Sequence, residues 1–285
     1  MNWIDSHVHV WTANEEHYPR RSSYPIPSGF DIKDFPVAPS HFPPETILKH
    51  ATPVGVDRVV LVQMSFYGTD NSYMTDTIKR YPESFRGIGY VDPNDIDVGY
   101  GMATLLEQGV TGFRIVLESN APDNWLQTTG YDSMFRAAAE TRQSIGVLIN
   151  PDGLDDVGRM ANKHPDTIIV IDHMSRIGAN GQIHKEDLQR ACELAKYKNI
   201  FVKISAFYAL GRKEPPHTEL IPMIRHFYDA YGADRLMWAS DCPFQVVDEV
   251  YEDSISLVRD KLDFLSDEDK DQILRGTAES VYFFQ

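Results

Sequence analysis

The chain has 285 residues, of which 42% are hydrophobic and 11% aromatic, and its formal net charge is −15. This composition is typical of a globular protein, and the charge argues against nucleic acid or an anionic membrane surface as a partner. No apolar stretch approaches the roughly 20 residues of a membrane span, and the first residues do not resemble a signal peptide. Because Cys192 and Cys242 do not resemble a disulfide framework, we expect a cytoplasmic protein.

The first predicted strand, residues 3–11, carries a His-x-His pair. Successive side chains of a strand point to opposite faces, so Asp5, His7 and His9 are expected to share one face. The residues at positions 4, 6, 8 and 10 are then expected on the other face, which is mostly apolar. Two imidazoles at this spacing converge on one point, as a metal site or a pair that polarises a substrate requires.

Residues 12–44 contain seven of the 17 prolines and are predicted to form a long loop after the first strand. Proline at this density blocks both helix and central strand. The aromatic and arginine content of the segment favours an ordered loop, and long ordered loops tend to be lids or pocket walls. His17 and His41 belong to this loop and are within reach of a pocket.

From residue 44 onward, predicted helices and strands alternate. The further strands are predicted at residues 58–64, 85–91, 112–116, 146–150, 167–173, 200–205 and 235–240. The helices are predicted at residues 44–55, 71–81, 97–108, 131–142, 153–163, 185–197, 217–231, 247–264 and 267–275. Most of these strands are apolar on both faces, which indicates parallel pairing with helical crossovers. Eight such units predict a single-domain (β/α)8 TIM barrel. The alternative, a doubly wound open sheet, usually has a glycine-rich phosphate-binding turn that this sequence lacks.

In a TIM barrel the active site lies at the carboxyl ends of the strands, so polar residues at those ends are predicted site residues. These are His7, His9, Gln63, Ser65, Tyr67, Arg114, Asn150, His173, Arg176, Ser205 and Asp241. Three histidines and an aspartate from three separate strands would meet at one rim, which chance does not readily produce. We therefore take His7, His9, His173 and Asp241 as the candidate catalytic residues.

The motifs at these strand ends resemble the amidohydrolase superfamily. They are Asp5-Ser6-His7-Val8-His9, then Asp172-His173 with Arg176 three residues later, and Ser240-Asp241-Cys242-Pro243. Within that superfamily, residues 62–71 and Gly112-Phe113-Arg114 are similar to the lactonase-type branch, which includes fuconolactonase-like and 2-pyrone-4,6-dicarboxylate lactonase-like proteins. The resemblance spans nearly the whole chain.

The resemblance implies a hydrolase that opens a small carboxylated or sugar-derived lactone. Asp241 would act as the general base, and the histidines would polarise the carbonyl. Arg114 and Arg176 would hold a substrate carboxylate, and four further residues would line the pocket. These four are Ser65, Tyr67, Gln63 and Asn150. The dicarboxylate lactonases would have another arginine soon after Arg114. Its absence here predicts one fewer anionic group on the substrate, or a contribution from loop arginines at positions 20, 21 or 212.

The same resemblance limits the metal content. Two-metal members supply a carboxylated lysine or glutamate from strand four and a histidine from strand five, where this chain has Arg114 and Asn150. A binuclear centre is therefore not expected. His7, His9, His173 and Asp241 could hold one zinc or manganese ion, or could work without metal, as some lactonases of this branch do.

Several alternatives stay open at this point. The first rival function is a metal-dependent decarboxylase of the same superfamily acting on an aromatic or enoic acid. Those relatives tend to have a further histidine at strand five, so Asn150 argues against this function. The second is a barrel that binds a small acid or sugar without converting it. A homo-oligomer is also left open. Asp5 is expected to orient its strand or a histidine, Lys203 to be a buried charge partner and Cys242 to pack in the core. Three further histidines are expected to be solvated, namely His164, His184 and His217.

Overall fold

The computed structural model describes residues 2–20, 39–116 and 125–284. Part of the predicted long loop, including Arg21, lies outside these ranges. Eight strands pair in parallel in chain order. They are β1 (Trp3–Val8), β2 (Val56–Val62), β3 (Phe85–Gly89), β4 (Val110–Val116), β5 (Ser144–Leu148), β6 (Ile169–Ile171), β7 (Ile200–Ser205) and β8 (Leu236–Ala239). Strand β1 approaches β8 through a parallel bridge between Val8 and Cys242, and the Asp241 amide donates to the His7 carbonyl at 3.0 Å. The predicted (β/α)8 barrel is confirmed.

Helices follow the strands as predicted, with differences near the C-terminus. They are α1 (Pro44–Ala51), α2 (Ser72–Arg80), α3 (Val98–Leu106), α4 (Thr129–Thr141), α5 (Leu154–Lys163), α6 (Lys185–Glu193), α7 (Ile221–Tyr231), α8 (Tyr251–Ser256), α9 (Asp267–Asp271) and α10 (Thr277–Tyr282). Helix α7 is preceded by a 3₁₀ turn at Thr218–Leu220, and α8 continues as the π-helical stretch Leu257–Lys261. Among the described residues, no helix is both long and apolar enough to cross a membrane.

The barrel interior is filled by apolar side chains from alternate strand positions. Ile4, Val60, Val62, Ile88, Val170 and Met237 pack together with Ala278, Val281 and Tyr282. Helix α10, which carries the last three of these residues, therefore contributes to the interior cluster. The opposite faces of the strands pack against the helices in a second, larger cluster. Because both faces of each strand are buried, most strands consist of consecutive apolar residues in the sequence.

One prediction about β1 is wrong. The pairing of β1 with β2 changes register between Asp5 and Val8, and a one-residue change moves the following side chains to the other face. Asp5 therefore lies on the outer side of the barrel, where its carboxylate accepts from the Tyr251 hydroxyl at 2.7 Å and from the Ser240 hydroxyl. Ile4, expected against the helices, lies in the interior cluster. Burial raises the pKa of Asp5 to about 6.

Candidate active site

Two of the predicted catalytic residues, His173 and Asp241, have a left-handed backbone conformation that L-amino acids rarely adopt. After β6, four consecutive residues from His173 to Arg176 have φ angles of 52°, 50°, 55° and 55°, and Asp241 after β8 has a φ of 68°. The predicted sixth strand therefore ends earlier, at Ile171, because His173 belongs to this left-handed turn. The left-handed conformation costs on the order of 1–2 kcal/mol per residue, and such strain clusters at functional sites.

The three predicted histidines converge on one oxygen of Asp241. The distance from Asp241 Oδ1 to the Nε2 atom is 3.3 Å for His9, 3.6 Å for His7 and 3.8 Å for His173. All four side chains are buried. Asp241 Oδ1 and His7 Nε2 have no hydrogen-bond partner among the described residues. The four residues that the sequence singled out thus form one cluster.

The other ring nitrogens indicate which atoms carry protons. His9 Nδ1 lies 2.7 Å from the Val62 carbonyl oxygen, which can only accept, so this nitrogen donates. His173 Nδ1 lies 2.8 Å from Ser205 Oγ, and that hydroxyl in turn donates to the Lys203 carbonyl. The Nε2 atoms of both rings therefore turn a lone pair toward a carboxylate oxygen. Acceptors that face each other in a buried site require a proton or a cation between them.

This donor set fits one divalent metal ion. His7, His9 and Asp241 offer ligand atoms that lie within 4.8 Å of one another, and His173 adjoins them through Asp241. Zinc bonds of about 2.0–2.1 Å in tetrahedral geometry place ligand atoms about 3.3–3.4 Å apart, close to the 3.3–3.8 Å between Asp241 Oδ1 and the three Nε2 atoms. At the ends of β4 and β5, Arg114 and Asn150 supply neither the carboxylate nor the imidazole of a second metal site.

A buried charge network lies beneath the histidines. Lys203 Nζ is 3.1 Å from Asp172 Oδ1 and 3.2 Å from His7 Nδ1, and both charged side chains are fully or almost fully buried. Arg114 Nε is 3.6 Å from the other Asp172 oxygen. Burial disfavours the ionised acid, but Lys203, His7 and Arg114 outweigh it and hold the pKa of Asp172 well below its usual value. Burial and Lys203 together lower the pKa of His7, so its ring is neutral.

Asp241 is held from two sides. Its second oxygen, Oδ2, accepts a 2.7 Å hydrogen bond from the Tyr208 hydroxyl, while Oδ1 faces the imidazoles. Burial alone would raise the pKa of Asp241, but a proton on the ring of His173 or His9 outweighs burial and holds it below its usual value. Asp241 is therefore ionised and able to take up a proton.

A cavity of about 340 Å³ opens above this cluster. Of the predicted residues, it is lined by His9, Ser65, Arg114, His173, Arg176 and Asp241, whereas His7 lies below its floor. The Nε groups of Arg114 and Arg176 are buried and have no hydrogen-bond partner among the described residues. Burial and the neighbouring Arg114 charge lower the pKa of Arg176, so the two guanidinium groups share one region. Two adjacent cations at a cavity wall favour an anionic ligand.

Three predicted substrate-binding residues lie outside the cavity lining. The Gln63 amide donates to the carbonyl oxygens of residues 68 and 70, at 3.4 and 2.7 Å. The Tyr67 hydroxyl accepts from the Thr12 amide at 3.2 Å. Asn150 lines a separate surface cavity. The contacts of Gln63 and Tyr67 hold loops that follow β1 and β2.

The other polar residues discussed from the sequence lie outside the cavity lining. Lys203 is a buried charge partner as expected, and Cys242 is fully buried in the core. His217 was expected to be solvated, but it is fully buried and lies 3.1 Å from a Glu249 carboxylate oxygen. His164 is also largely buried, at 3.1 Å from Asp132. Four further loop residues named from the sequence do not line the cavity, namely His17, Arg20, His41 and Arg212.

Sequence reasoning missed two residues of the site as participants. Asp172 precedes His173 within the quoted motif, and its place at the end of β6 was the available signal. Tyr208 lies three residues beyond Ser205, the last residue of β7. Extending the strand-end rule into the following loop would have included it.

Comparison with known proteins agrees with this architecture. Residues 4–284 match the protein family described as Amidohydrolase. The chain is 26% identical over 244 residues to L-fucono-1,5-lactonase of Burkholderia ambifaria, covering 84% of this chain and 80% of that protein. It is 24% identical over 208 residues to 4-sulfomuconolactone hydrolase of Rhizobium radiobacter, covering 73% of this chain and 68% of that one.

Among solved structures, an amidohydrolase from Burkholderia multivorans crystallised with bound zinc superposes with a TM-score of 0.82 at 19% identity, and both chains are covered completely. That similarity concerns the fold. The family match extends over nearly the whole chain and includes every residue of the histidine–aspartate cluster. The chain belongs to the amidohydrolase family.

Proposed function

We propose that this protein hydrolyses the ester bond of a small lactone that carries an anionic group. The observation that carries the proposal is the convergence of three imidazole Nε2 atoms on Asp241 Oδ1, at 3.3–3.8 Å, below a cavity that is lined by two arginines. The names of the two relatives, a fuconolactonase and a sulfomuconolactone hydrolase, support lactone hydrolysis as the reaction class.

Substrate binding would begin with the arginines. The unpartnered Nε group of Arg176 and the guanidinium group of Arg114 would donate charge-assisted hydrogen bonds to the substrate anion. Ser65 also lines the cavity and would shape the pocket beside the lactone ring. This contact set would place the ring carbonyl above the floor, where the Nε2 atoms of His9 and His173 lie.

Hydrolysis would proceed by general-base catalysis. Asp241 would take a proton from a water molecule while the water oxygen bonds to the carbonyl carbon. The tetrahedral oxyanion would form next to the imidazole cluster. When the ring C–O bond breaks, the proton held by Asp241 would pass to the leaving oxygen, giving the open hydroxy acid. The Tyr208 hydroxyl would keep the carboxylate oriented through its bond to Oδ2.

We also propose His7, His9, His173 and Asp241 as the residues that would hold one divalent ion, zinc or manganese. Such an ion, when bound, supplies a Lewis acid that polarises the carbonyl and stabilises negative charge. The buried, mutually facing acceptors of the cluster support this assignment, because they require a cation or a proton. A metal-free version, in which protonated imidazoles donate to the oxyanion, stays the alternative.

A hydrolysis panel tests the function. The purified protein should convert at least one carboxylated lactone to its hydroxy acid, followed by proton release in weakly buffered solution. The panel should include aromatic and enoic acids, with carbon dioxide release as the readout. Decarboxylation without lactone hydrolysis would overturn the proposal in favour of the rival reaction. Inertness toward every lactone would also contradict it.

A further inference from the structure

Much of the cavity lining is hydrocarbon. Met64, Val116, Leu148, Leu210 and Phe244 line it, together with three alanines. These five residues follow or end five different strands, so the apolar surface surrounds the space rather than forming one patch. The two arginines, in contrast, both come from the β4 and β6 side. The two guanidinium groups thus lie within a lining that is otherwise mostly apolar.

Few other polar side chains line the cavity in the part of the chain that the structure describes. Apart from the histidines, Asp241 and the arginines, the described residues that line the cavity offer only the hydroxyls of Ser65, Tyr90 and Tyr208. The Tyr208 hydroxyl already donates to Asp241. Within residues 2–20, 39–116 and 125–284, no asparagine, glutamine, glutamate or lysine lines the cavity.

Each hydroxyl of a sugar ring is both a donor and an acceptor, so a sugar lactone needs many polar partners in its binding site. A sugar hydroxyl that leaves water must find partners, and one buried against carbon loses its hydrogen bonds to solvent without replacement. Sites that select polyhydroxylated ligands therefore place amides and carboxylates around them. The cavity volume of about 340 Å³ lies near the lower end for ligand sites, so little room is left for bridging water.

We infer that the substrate is a lactone with an anionic group and an otherwise hydrocarbon frame, and that polyhydroxylated sugar lactones are poor substrates. This inference rests on the proposed lactone hydrolysis and narrows its substrate class. Arg114 and Arg176 bind the anion, and the alkyl or unsaturated part of the ring packs against Met64, Leu148 and Phe244.

Two lactones of equal charge test the inference in the wild-type protein. One is a γ-lactone that carries a carboxymethyl group and no hydroxyl. The other is the 1,4-lactone of a hexaric acid, which has the same ring size and one carboxylate but three hydroxyls. An apolar pocket rejects one added hydroxyl by about 100-fold, so kcat/KM should favour the first lactone by at least about 100-fold.

The outcomes separate the two proposals. Equal rates, or a preference for the hexaric lactone, would overturn the inference and leave the proposed function standing. Failure to hydrolyse either lactone, or any other in the panel, would overturn the proposed function and this inference with it. A preference of the expected size supports both.

A wall substitution tests whether these residues set the preference. Leu148→Asn places an amide at a half-buried position of the wall, and Leu105→Asn makes the same change at a half-buried position of α3 outside the cavity. The Leu148 variant should lower the ratio of the two kcat/KM values at least about 10-fold, whereas the Leu105 variant should keep the wild-type ratio. An unchanged ratio in the Leu148 variant, with circular dichroism like that of the Leu105 control, would count against the apolar wall.

Discussion

The Lys203–Asp172 pair at the barrel floor should make the fold sensitive to the loss of either partner. Its atoms are 3.1 Å apart, and both side chains are at most 2% exposed. Removing one partner of a buried pair leaves an uncompensated charge and typically costs 3–5 kcal/mol. Lys203→Met should therefore lower the free energy of unfolding by about 3–5 kcal/mol, measured by urea denaturation.

The surface offers a matched control for this substitution. Lys163 Nζ lies 2.6 Å from Asp132, a shorter distance, but its side chain is 53% exposed. Exposed ion pairs are worth about 0–1 kcal/mol, so Lys163→Met should cost no more than that. If the two lysine variants lost similar stability, distance rather than burial would govern these pairs, and the reasoning would be refuted.

A double-mutant cycle isolates the interaction itself. Asp172→Asn alone should also be strongly destabilising because it leaves the Lys203 ammonium buried without its carboxylate. The double variant should be less destabilised than the sum of the single variants, by about 1 kcal/mol or more. Additive losses would mean that Asp172 and Lys203 act independently, and that His7 or Arg114 is the effective partner of the carboxylate.

Three further predictions concern the site. Arg176→Met should lower kcat/KM about 10- to 150-fold on an anionic lactone, since a hydrogen bond to a charged group is worth about 1.5–3 kcal/mol, and should spare a neutral lactone. Equal losses on both substrates would assign Arg176 to loop support. Tyr208→Phe should lower kcat about 10-fold or more with little change in KM, because the lost bond orients Asp241 rather than the substrate; a change confined to KM would argue otherwise. Metal analysis of active protein should find at most one divalent ion per chain, and two would contradict the roles given to Arg114 and Asn150.

The barrel was predictable because parallel strands that are buried on both faces leave an unambiguous apolar signal. The same signal gave the strand-end residues, and hence His7, His9, His173 and Asp241, although their distances depend on packing. The face of Asp5 was not predictable, because the register change after it depends on how β1 pairs with β2. A regular alternation of side chains would place Asp5 and His7 on the same face of β1, whereas the observed pairing places them on opposite faces.

Other features depend on contacts between distant parts of the chain. The buried contact of His217 with Glu249 joins residues 32 positions apart, and no local pattern marks either one. Gln63 and Tyr67 follow β2 as predicted, but their side chains bond loop backbone rather than turn toward the cavity. Strand-end position thus identifies candidates, and the loop conformation decides which of them reach the substrate.

The central claim is that Asp241 acts as the general base beside the histidine cluster, and the most direct measurement is the turnover of a carboxylated lactone by Asp241→Asn. The amide is nearly isosteric with the carboxylate but cannot take the proton from water. The account predicts that kcat falls about 10²- to 10⁴-fold while circular dichroism and thermal unfolding stay close to wild type. A correctly folded variant that turns over the lactone at near wild-type rate would contradict it.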